Sequence, residues 1–384
     1  MNWIRIATKL IVMLGVICRT SVTCFTLGSR VPSLSLYSKL HTRSLSMLSE
    51  GTPKVILEKG KARLFQDGNP LIYGGAVKEV VGDPQPGDEV IVNDHMGNTL
   101  GRGVFNPFSQ YRVRMMARAY ESLYPLSFGD LLKVRIEQAI ALRSAISLPS
   151  EINSVYRLVN GEGDRLGGLV VDVLGTTVVA QSSAFWVEKH KAVIEKAILE
   201  TVKCHKLVWR RAEGRLKQDG YTGELTDVVI VAENDGKNDK NENVEDLIVV
   251  ENGVKYVVSP EDGQKTGFYC DQRDNRMMIR ELSKGKSVLD TFCYSGGFSV
   301  NAAIGGAIAV TSVDSSKPAL DTADKNIELN NVNNIVTTVK ADAVEYMKKM
   351  QIDGQLFDIV ICDPPKLAPT RTSLEKAKNK YVQN

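Results

Sequence analysis

The feature that most constrains the fold is a strand that ends in an acid and runs into a glycine-rich loop. Lys286–Asp290 has the pattern of a short buried strand, Thr291–Ser299 contains two adjacent glycines, and an alanine-rich helix begins at Val300. Three more apolar strands follow, at 307–313, 335–339 and 357–362. Four acids end or follow these strands: Asp290, Asp314, Asp342 and Asp363. Strands that alternate with helices predict a parallel sheet whose ligands lie beyond the carboxyl ends of the strands.

The spacing at this edge indicates a nucleoside cofactor. Asp314 follows Asp290 by 24 residues, which fits an acid that binds ribose hydroxyls. A dinucleotide requires G-x-G-x-x-G and a nucleoside triphosphate requires G-x-x-x-x-G-K-[ST], but the chain has Tyr294-Ser-Gly-Gly-Phe-Ser and Gly263-Gln-Lys-Thr. S-adenosylmethionine needs only close backbone approach and nearby acids. We therefore predict S-adenosylmethionine; the alternative is that these are ordinary strand-end acids of an α/β domain.

A region of short β-type runs begins at Pro53 and predicts a small barrel. The stretch between Asp94 and Glu121 contains no acid, and its aromatic residues alternate with arginines. Four arginines are the candidate RNA contacts: Arg102, Arg112, Arg114 and Arg118. Guanidinium groups neutralise phosphates and aromatic rings stack on unpaired bases, so this is the best candidate RNA face. The equally weighted alternative is that the aromatic side chains form a core and the arginines a solvated edge.

The remaining pattern divides the chain into further units. Apolar residues at helical spacing over Leu131–Leu142 predict a linker helix within 121–150. Residues 151–250 follow the order strand, strand, helix, strand, with a tight hairpin at Gly161–Gly168. A polar, aperiodic stretch at 233–246 predicts an exposed loop. The strand-and-helix alternation described above occupies 251–384.

The first 49 residues differ from the rest in charge. They contain six basic residues and no acid, whereas the remaining chain carries 42 basic and 45 acidic residues. Sequence rich in Arg and Ser and free of acids is typical of organelle transit peptides, and the apolar run Leu10–Cys18 is too short to cross a membrane. We expect a targeting presequence for a plastid or mitochondrion and no folded element here. One alternative is that the apolar run is the core of a secretory signal peptide, with a transit peptide after it. The other is a cytoplasmic protein whose translation starts at Met47.

From Pro53 onward the chain resembles a known family, the PUA-domain class I methyltransferases that modify carbon 5 of cytosine in large-subunit ribosomal RNA. The most specific blocks of this resemblance are Leu100–Asn106, Arg157–Leu166, Gly263–Arg276, Asp290–Phe298 and Cys362–Lys366. The resemblance implies a PUA barrel over 53–120, a small α/β module over 151–250, and a Rossmann-like α/β methyltransferase domain over 251–384. RNA is then the partner.

The same resemblance assigns roles to individual residues. The resemblance implies that the methionine end of the cofactor is held by Asp290, Ser295, Gly296 and Gly297. It also implies that Asp314 binds the ribose and that Asp342 binds the adenine amino group. The residues that would close the pocket are Phe268, Asp271 and Arg273. Those that would face the target base are Asp363, Pro364, Pro365 and Lys366. No metal is implied, because the cysteines and histidines show no zinc spacing.

The cysteines raise a question about the chemistry. Methylation of cytosine C5 requires that a Cys thiolate first adds to C6. In the resembled family this Cys lies on a later strand, after the fourth, so we expect an incomplete sheet, a truncated product and an exposed edge on the fourth strand. Cys270 is the best placed substitute, although each remaining Cys is more simply read as a small buried side chain. The alternatives to an active C5 enzyme are a non-catalytic RNA-binding protein and a methyltransferase that acts on another RNA or base.

Overall fold

The computed structural model describes residues 51–223, 228–233 and 246–365, together with the backbone of a short strand, β1 (Leu10–Met13). These residues form three units in chain order, each with a sheet of its own, and one separate hairpin. None of the helices in these ranges is long and apolar enough to cross a membrane.

The first unit is a six-stranded sheet around one apolar core. Its elements are β2 (Lys54–Leu57), α1 (Ala62–Gln66), β3 (Leu71–Tyr73), β4 (Val77–Val81), β5 (Glu89–Asn93), β6 (Thr99–Phe105) and β7 (Tyr111–Arg118). The strand order is β3-β7-β6-β5-β2-β4. The short β-type runs of the sequence coincide with β2, β3, β5 and β7, but the sequence pattern missed β4 and β6. Gly101 and Gly103 interrupt the apolar pattern of β6 because β7 passes so close that a Cβ at Gly101 would lie 2.3 Å from the carbonyl oxygen of Ala117.

A long helix, α2 (Phe128–Ala145), follows the first sheet. The Ser127 hydroxyl caps it by accepting a hydrogen bond from the Asp130 N–H at 3.2 Å. Its apolar side chains, among them Leu132 and Ile136, belong to the same buried cluster as Trp209 of the next unit. The predicted linker helix is therefore part of the core of the second unit rather than a connector.

The second unit is a five-stranded sheet with helices on one face. Its elements are β8 (Val155–Asn160), β9 (Leu169–Leu174), β10 (Thr177–Ser182), α3 (Phe185–Lys189), α4 (Lys191–Thr201), β11 (Lys206–Arg211), α5 (Glu213–Gln218) and β12 (Val228–Glu233). The order is β12-β11-β10-β9-β8. Val178 packs toward α2, whereas the next residue, Val179, packs toward the third unit, so both faces of the sheet are covered. The antiparallel pair β8–β9 confirms the predicted hairpin, and β12 is an additional strand.

The third unit begins with a hairpin and continues as a parallel α/β sheet. Its elements are β13 (Leu247–Glu251), β14 (Val254–Val258), α6 (Arg273–Leu282), β15 (Ser287–Thr291), α7 (Gly297–Ile304), β16 (Ala309–Asp314), α8 (Lys317–Leu329), β17 (Val336–Lys340), α9 (Ala343–Ile352) and β18 (Ile359–Cys362). The predicted strands of this unit agree with the structure to within two residues at each end. The polar loop predicted at 233–246 lies almost wholly outside the described residues.

The order of the parallel sheet is β1-β18-β15-β16-β17. β1 occupies the edge beside β18, with Leu10 opposite Ile359. The expectation of no folded element in the first 49 residues is therefore wrong for Leu10–Met13, and the outer edge of β18 is paired rather than exposed. The carboxyl ends of β15, β16, β17 and β18 share one edge of the sheet, as the sequence pattern predicted.

Candidate active site

The glycine loop leaves β15 and turns directly into α7. Phe292 and Tyr294 have positive φ angles of 60° and 51°, and Gly296 has a φ of 72°. A Cβ at Gly296 would lie 3.1 Å from the Cβ of Ala323, so the loop packs tightly on α8. Gly296 is the N-cap residue of α7 and supplies no capping side chain. Backbone N–H groups at such a helix start can donate hydrogen bonds to a carboxylate, which fits the methionine end of S-adenosylmethionine.

Asp290 lies beneath this loop rather than on its open side. Its side chain is buried, and its Oδ2 accepts a hydrogen bond from the Ser299 hydroxyl at 2.6 Å. Ser299 in turn accepts one from Ser312 at 2.7 Å. Burial raises the pKa of Asp290 to about 7, against the lowering effect of the Ser299 hydrogen bonds. The structure thus differs from the expected contact with the cofactor: Asp290 anchors α7 to the sheet.

Asp314 and Asp342 lie at the open edge of the sheet. Asp314 accepts hydrogen bonds from the backbone N–H groups of Tyr294 at 2.9 Å and Ser316 at 2.8 Å. Asp342 caps α9 through one oxygen, Oδ1, which accepts from the N–H groups of Val344 and Glu345. Because each carboxylate oxygen has two lone pairs, both side chains keep acceptor capacity for hydroxyl or amino groups of a nucleoside. Asp314 and Asp342 therefore fit the ribose and adenine.

A second loop, residues 259–269, packs against the glycine loop. Gly263 and Gly267 make it tight: a Cβ at Gly267 would lie 2.4 Å from the carbonyl oxygen of Ser259. The backbone N–H of Gln264 donates to the Tyr294 hydroxyl at 3.3 Å. The ring of Tyr269 lies edge-on to that of Tyr294, with centroids 5.5 Å apart. Sequence reasoning assigned no role to these side chains, although the two glycines in Gly-Gln-Lys-Thr-Gly were a usable signal of a tight loop.

Lys265 links this loop to the strand-end acids. Its Nζ donates to Asp271 at 2.9 and 3.0 Å and lies 4.0 Å from the centroid of the Tyr269 ring. Burial raises the pKa of Asp363, and the positive charge of Lys265 opposes that rise. Burial also tends to raise the pKa of Asp271, but the hydrogen bond and charge of Lys265 lower it overall. Lys265 therefore places a positive charge close to both Asp271 and Asp363 at this edge of the sheet.

One residue expected to close the cofactor pocket is placed elsewhere. Phe268 is buried in the core, and the Arg276 guanidinium lies 4.8 Å from its ring centroid. Arg273 lines a cavity of about 440 Å³ between the end of α2 and β8, and Asp271, which pairs with Lys265, borders the same cavity. The expected role of Phe268 is therefore not supported, whereas the roles of Asp271 and Arg273 stay predictions. Phe268 instead packs behind the loop that carries Lys265 and Tyr269.

The predicted RNA face is largely internal. Arg102 is buried, forms an ion pair with Glu89 at 2.7 Å, and donates to the carbonyl oxygens of Tyr124 and Leu126. Its guanidinium therefore holds the segment after β7 against the sheet. A side chain in this position cannot reach an RNA phosphate, so the prediction is wrong for Arg102.

The other three arginines are also used inside the protein. Arg114 is buried against Asp219, with Nη2 2.8 Å from Oδ1. Arg118 is buried and donates to a backbone carbonyl at the end of α1 at 3.0 Å. Arg112 is half-buried and donates to the carbonyl oxygen of Pro107. These arginines form neither the predicted RNA face nor the alternative solvated edge. They instead hold loops and neighbouring units in place.

The region expected to face the target base is described only in part. Asp363 and Pro364 are half-buried at the end of β18 and Pro365 is exposed, whereas Lys366 lies outside the described residues. The thiols of Cys270, Cys293 and Cys362 surround this edge, and burial raises the pKa of each. Their surroundings disfavour a thiolate, which weakens the suggestion that Cys270 acts as a nucleophile.

Fold and site together define the class. A family description of a PUA-like domain matches residues 55–118, and one of an S-adenosylmethionine-dependent methyltransferase matches residues 234–381. A candidate methyltransferase from Streptococcus mutans has a similar fold, with a TM-score of 0.68 at 22% identity over 85% of this chain and 82% of that one. A second methyltransferase structure, complexed with SAH, gives a TM-score of 0.69 at 22% identity, covering 86% of this chain and 81% of that one. The chain is a PUA-containing, S-adenosylmethionine-dependent methyltransferase, which confirms the predicted fold class, enzyme class and cofactor.

Sequence relatives narrow this class to a family. The ribosomal RNA large subunit methyltransferase I of Klebsiella pneumoniae (strain 342) is 32% identical over 86% of this chain and 79% of its own length. The protein of the same name from Shewanella frigidimarina is 34% identical over 85% of this chain and 80% of its own length. The chain belongs to this methyltransferase family.

Proposed function

We propose that this chain transfers the methyl group of S-adenosylmethionine to carbon 5 of a cytosine in large-subunit ribosomal RNA. The proposal is carried by one observation: the glycine loop, the Lys265–Tyr269 segment and Asp363 meet at a single edge of the sheet. The names of the curated relatives support large-subunit ribosomal RNA as the substrate. The cytosine C5 position rests on the family resemblance of the sequence.

The described residues can perform two tasks that this reaction needs, which are to orient the cofactor and to contact the target base. When bound, S-adenosylmethionine supplies an electrophilic methyl group. The first N–H groups of α7 and the carboxylates of Asp314 and Asp342 can orient the cofactor, because displacement mainly requires alignment. Asp363 lies where it can hydrogen-bond a target base, and Lys265 lies close enough to influence its charge. Burial raises the pKa of each described cysteine, which disfavours a resting thiolate, so Cys270, the best placed of them, could add to C6 only if the bound RNA lowers its pKa.

The test is a transfer assay with tritiated S-adenosylmethionine and unmethylated large-subunit RNA, followed by digestion to nucleosides. We expect label in 5-methylcytidine, and a loss of at least about 100-fold for Asp363→Asn, which is the size of effect seen when a positioned acid–base group is removed. Asp353→Asn, an exposed acid at the end of α9 and away from the strand ends, is the matched control. Label in another nucleoside would contradict the C5 assignment, and no transfer to any RNA would contradict the substrate.

We also infer that residues 1–49 direct the chain to an organelle. The support is their charge, six basic residues and no acid. A fusion of residues 1–49 to a fluorescent protein should enter plastids or mitochondria, whereas a fusion that starts at Met47 should remain diffuse. A diffuse signal from both would favour translation from Met47. Cleavage of such a presequence would remove β1 from the edge beside β18.

A further inference from the structure

The junction between the first and second units is organised around Asp219. Arg114 of β7 forms its ion pair with Oδ1, and the backbone N–H of Phe185 donates to Oδ2 at 2.8 Å. The side chain of Asn106 donates to the carbonyl oxygen of Asp219, also at 2.8 Å. The β6–β7 hairpin and the start of α3, which are distant in sequence, therefore both converge on one residue.

Aromatic side chains surround this junction and reach solvent. Phe108 is 65% exposed although its ring lies against Gly220, where an added Cβ would come within 2.7 Å of it. Phe185 and Tyr221 are half-buried and meet edge to face, with ring centroids 5.5 Å apart. An exposed phenylalanine beside a phenylalanine–tyrosine pair forms an apolar surface patch, which indicates a binding role.

The charge of the same surface is positive. Of the five basic residues between Lys206 and Tyr221, Arg210 is buried and Lys206 and Arg211 form ion pairs with Glu261 and Glu188, so the exposed positive charge comes from Arg215 and Lys217. The same stretch contains two acids. One of those acids, Asp219, is buried against Arg114, and the other, Glu213, pairs with Lys217. Arg215 is exposed on α5, on the solvent side of the buried Leu216. Aromatic rings beside basic side chains are the combination that binds single-stranded nucleic acid.

This surface is continuous with the loop of the candidate active site. Gln181, near the end of β10, donates to the carbonyl oxygen of Lys265 at 3.4 Å, and Arg210, near the end of β11, donates to that of Gly263. β10 runs on to Phe185 and β11 runs on to α5. The ends of two neighbouring strands therefore lead from the Lys265 loop to the aromatic residues at the junction.

We propose that the surface formed by Phe108, Phe185, Arg215, Lys217 and Tyr221, the junction surface, binds a single-stranded segment of the substrate RNA that flanks the target base. The rings stack on unpaired bases, and Arg215 and Lys217 contact the phosphates. That the bound RNA is the substrate rests on the proposed function. In this proposal the RNA contacts are made by the junction surface and not by the four arginines of the predicted RNA face, whose side chains contact other parts of the protein.

The test measures binding of a short oligouridylate and of a transcript of the target ribosomal RNA over a series of salt concentrations. For the double variant Phe108→Ala plus Tyr221→Ala, we expect affinity to fall at least about tenfold, since each lost stack weakens binding by about that factor. Arg215→Glu should reduce the slope of log affinity against log salt by about 0.7 for the lost phosphate contact. Tyr221→Phe should retain most of the affinity, because the ring remains.

Two exposed positions on the catalytic domain serve as controls, Lys349→Glu for charge and Ile352→Ala for apolar surface. Thermal unfolding and S-adenosylmethionine affinity should match the wild type in every variant, which separates a binding loss from a folding defect. The proposal is overturned if the junction variants bind RNA as the controls do. It is also overturned if the wild type does not bind the oligonucleotide, which would leave the surface to a protein partner. RNA binding that depends on the junction surface, without methyl transfer, would contradict only the proposed function.

Discussion

At the scale of single residues, the acids at the strand ends differ in their surroundings although they look alike in sequence. Asp290 is buried and bonded to Ser299, whereas Asp314 and Asp342 lie at the open edge. The strand-end pattern predicted their placement, because it depends only on local alternation. It could not predict that Asp290 turns inward, because that depends on Ser299 of the next helix and Ser312 of the next strand.

The burial of Asp290 makes the stability of the protein depend on pH. Its pKa is raised from 3.8 to about 7 in the folded state. A carboxyl with a raised folded-state pKa stabilises the fold most at low pH, and this contribution is lost as the pH rises through the folded-state value. Relative to the wild type, Asp290→Asn should therefore gain stability between about pH 4 and pH 7, by up to about 4 kcal/mol.

Urea unfolding at several pH values measures this difference. Asp262→Asn, at an exposed position, should show no such trend relative to the wild type. A flat difference for Asp290→Asn would mean that Asp290 ionises near its ordinary pKa and that water reaches it.

The open position of Asp314 predicts a direct effect on the cofactor. Asp314→Ala should weaken S-adenosylmethionine binding by about 1.5–3 kcal/mol, the usual loss for a hydrogen bond to a charged group. Calorimetric titration of this variant beside Asp262→Ala measures the loss. Equal affinities for the two variants would remove the ribose assignment from Asp314.

At the scale of elements, the loop that joins β15 to α7 combines strain with close packing. Gly296→Ala places a side chain at a φ of 72° and 3.1 Å from Ala323. Gly285→Ala is a matched control, because Gly285 has a φ of 69° but no neighbour within 4 Å of the added Cβ. Both variants should lose about 1–2 kcal/mol of stability from the left-handed conformation. Only Gly296→Ala should also lose cofactor affinity, which titration against each variant would show.

The elements also show where sequence reasoning reached its limit. The strands β15 to β18 were predictable because each is an apolar run of ordinary length that ends in a polar residue. The arginines of β6 and β7 were not, because a basic side chain on a strand has the same local pattern whether it faces solvent or a buried acid. The partner of Arg114 is Asp219, 105 residues later in the chain, and no local rule connects them.

At the scale of the whole molecule, Asp219 couples the PUA-like unit to the second unit. Asp219→Ala would leave Arg114 buried without its ion-pair partner, which costs about 3–5 kcal/mol. We expect the PUA-like unit to become sensitive to protease at a denaturant concentration where the remainder stays protected. Asp88→Ala removes the more exposed pair with Lys189 at the same junction and should cost less than about 1 kcal/mol. Equal protection in the two variants would show that the junction does not depend on Asp219.

The hydrogen bonds around Thr266 limit how short a fragment of the chain can be and still form the cofactor site. The Thr266 hydroxyl donates to Asp172 of β9 at 2.6 Å, and Asp172 is fixed by Arg157 of β8. The 259–269 loop, which packs against the glycine loop, is thus held in place by residues of the second unit, which lie outside the methyltransferase domain. A fragment restricted to the methyltransferase region would carry the loop sequence but not the residues that hold it in place. The second unit therefore holds one loop of the cofactor site in place, and the functional boundary of the enzyme lies upstream of β8.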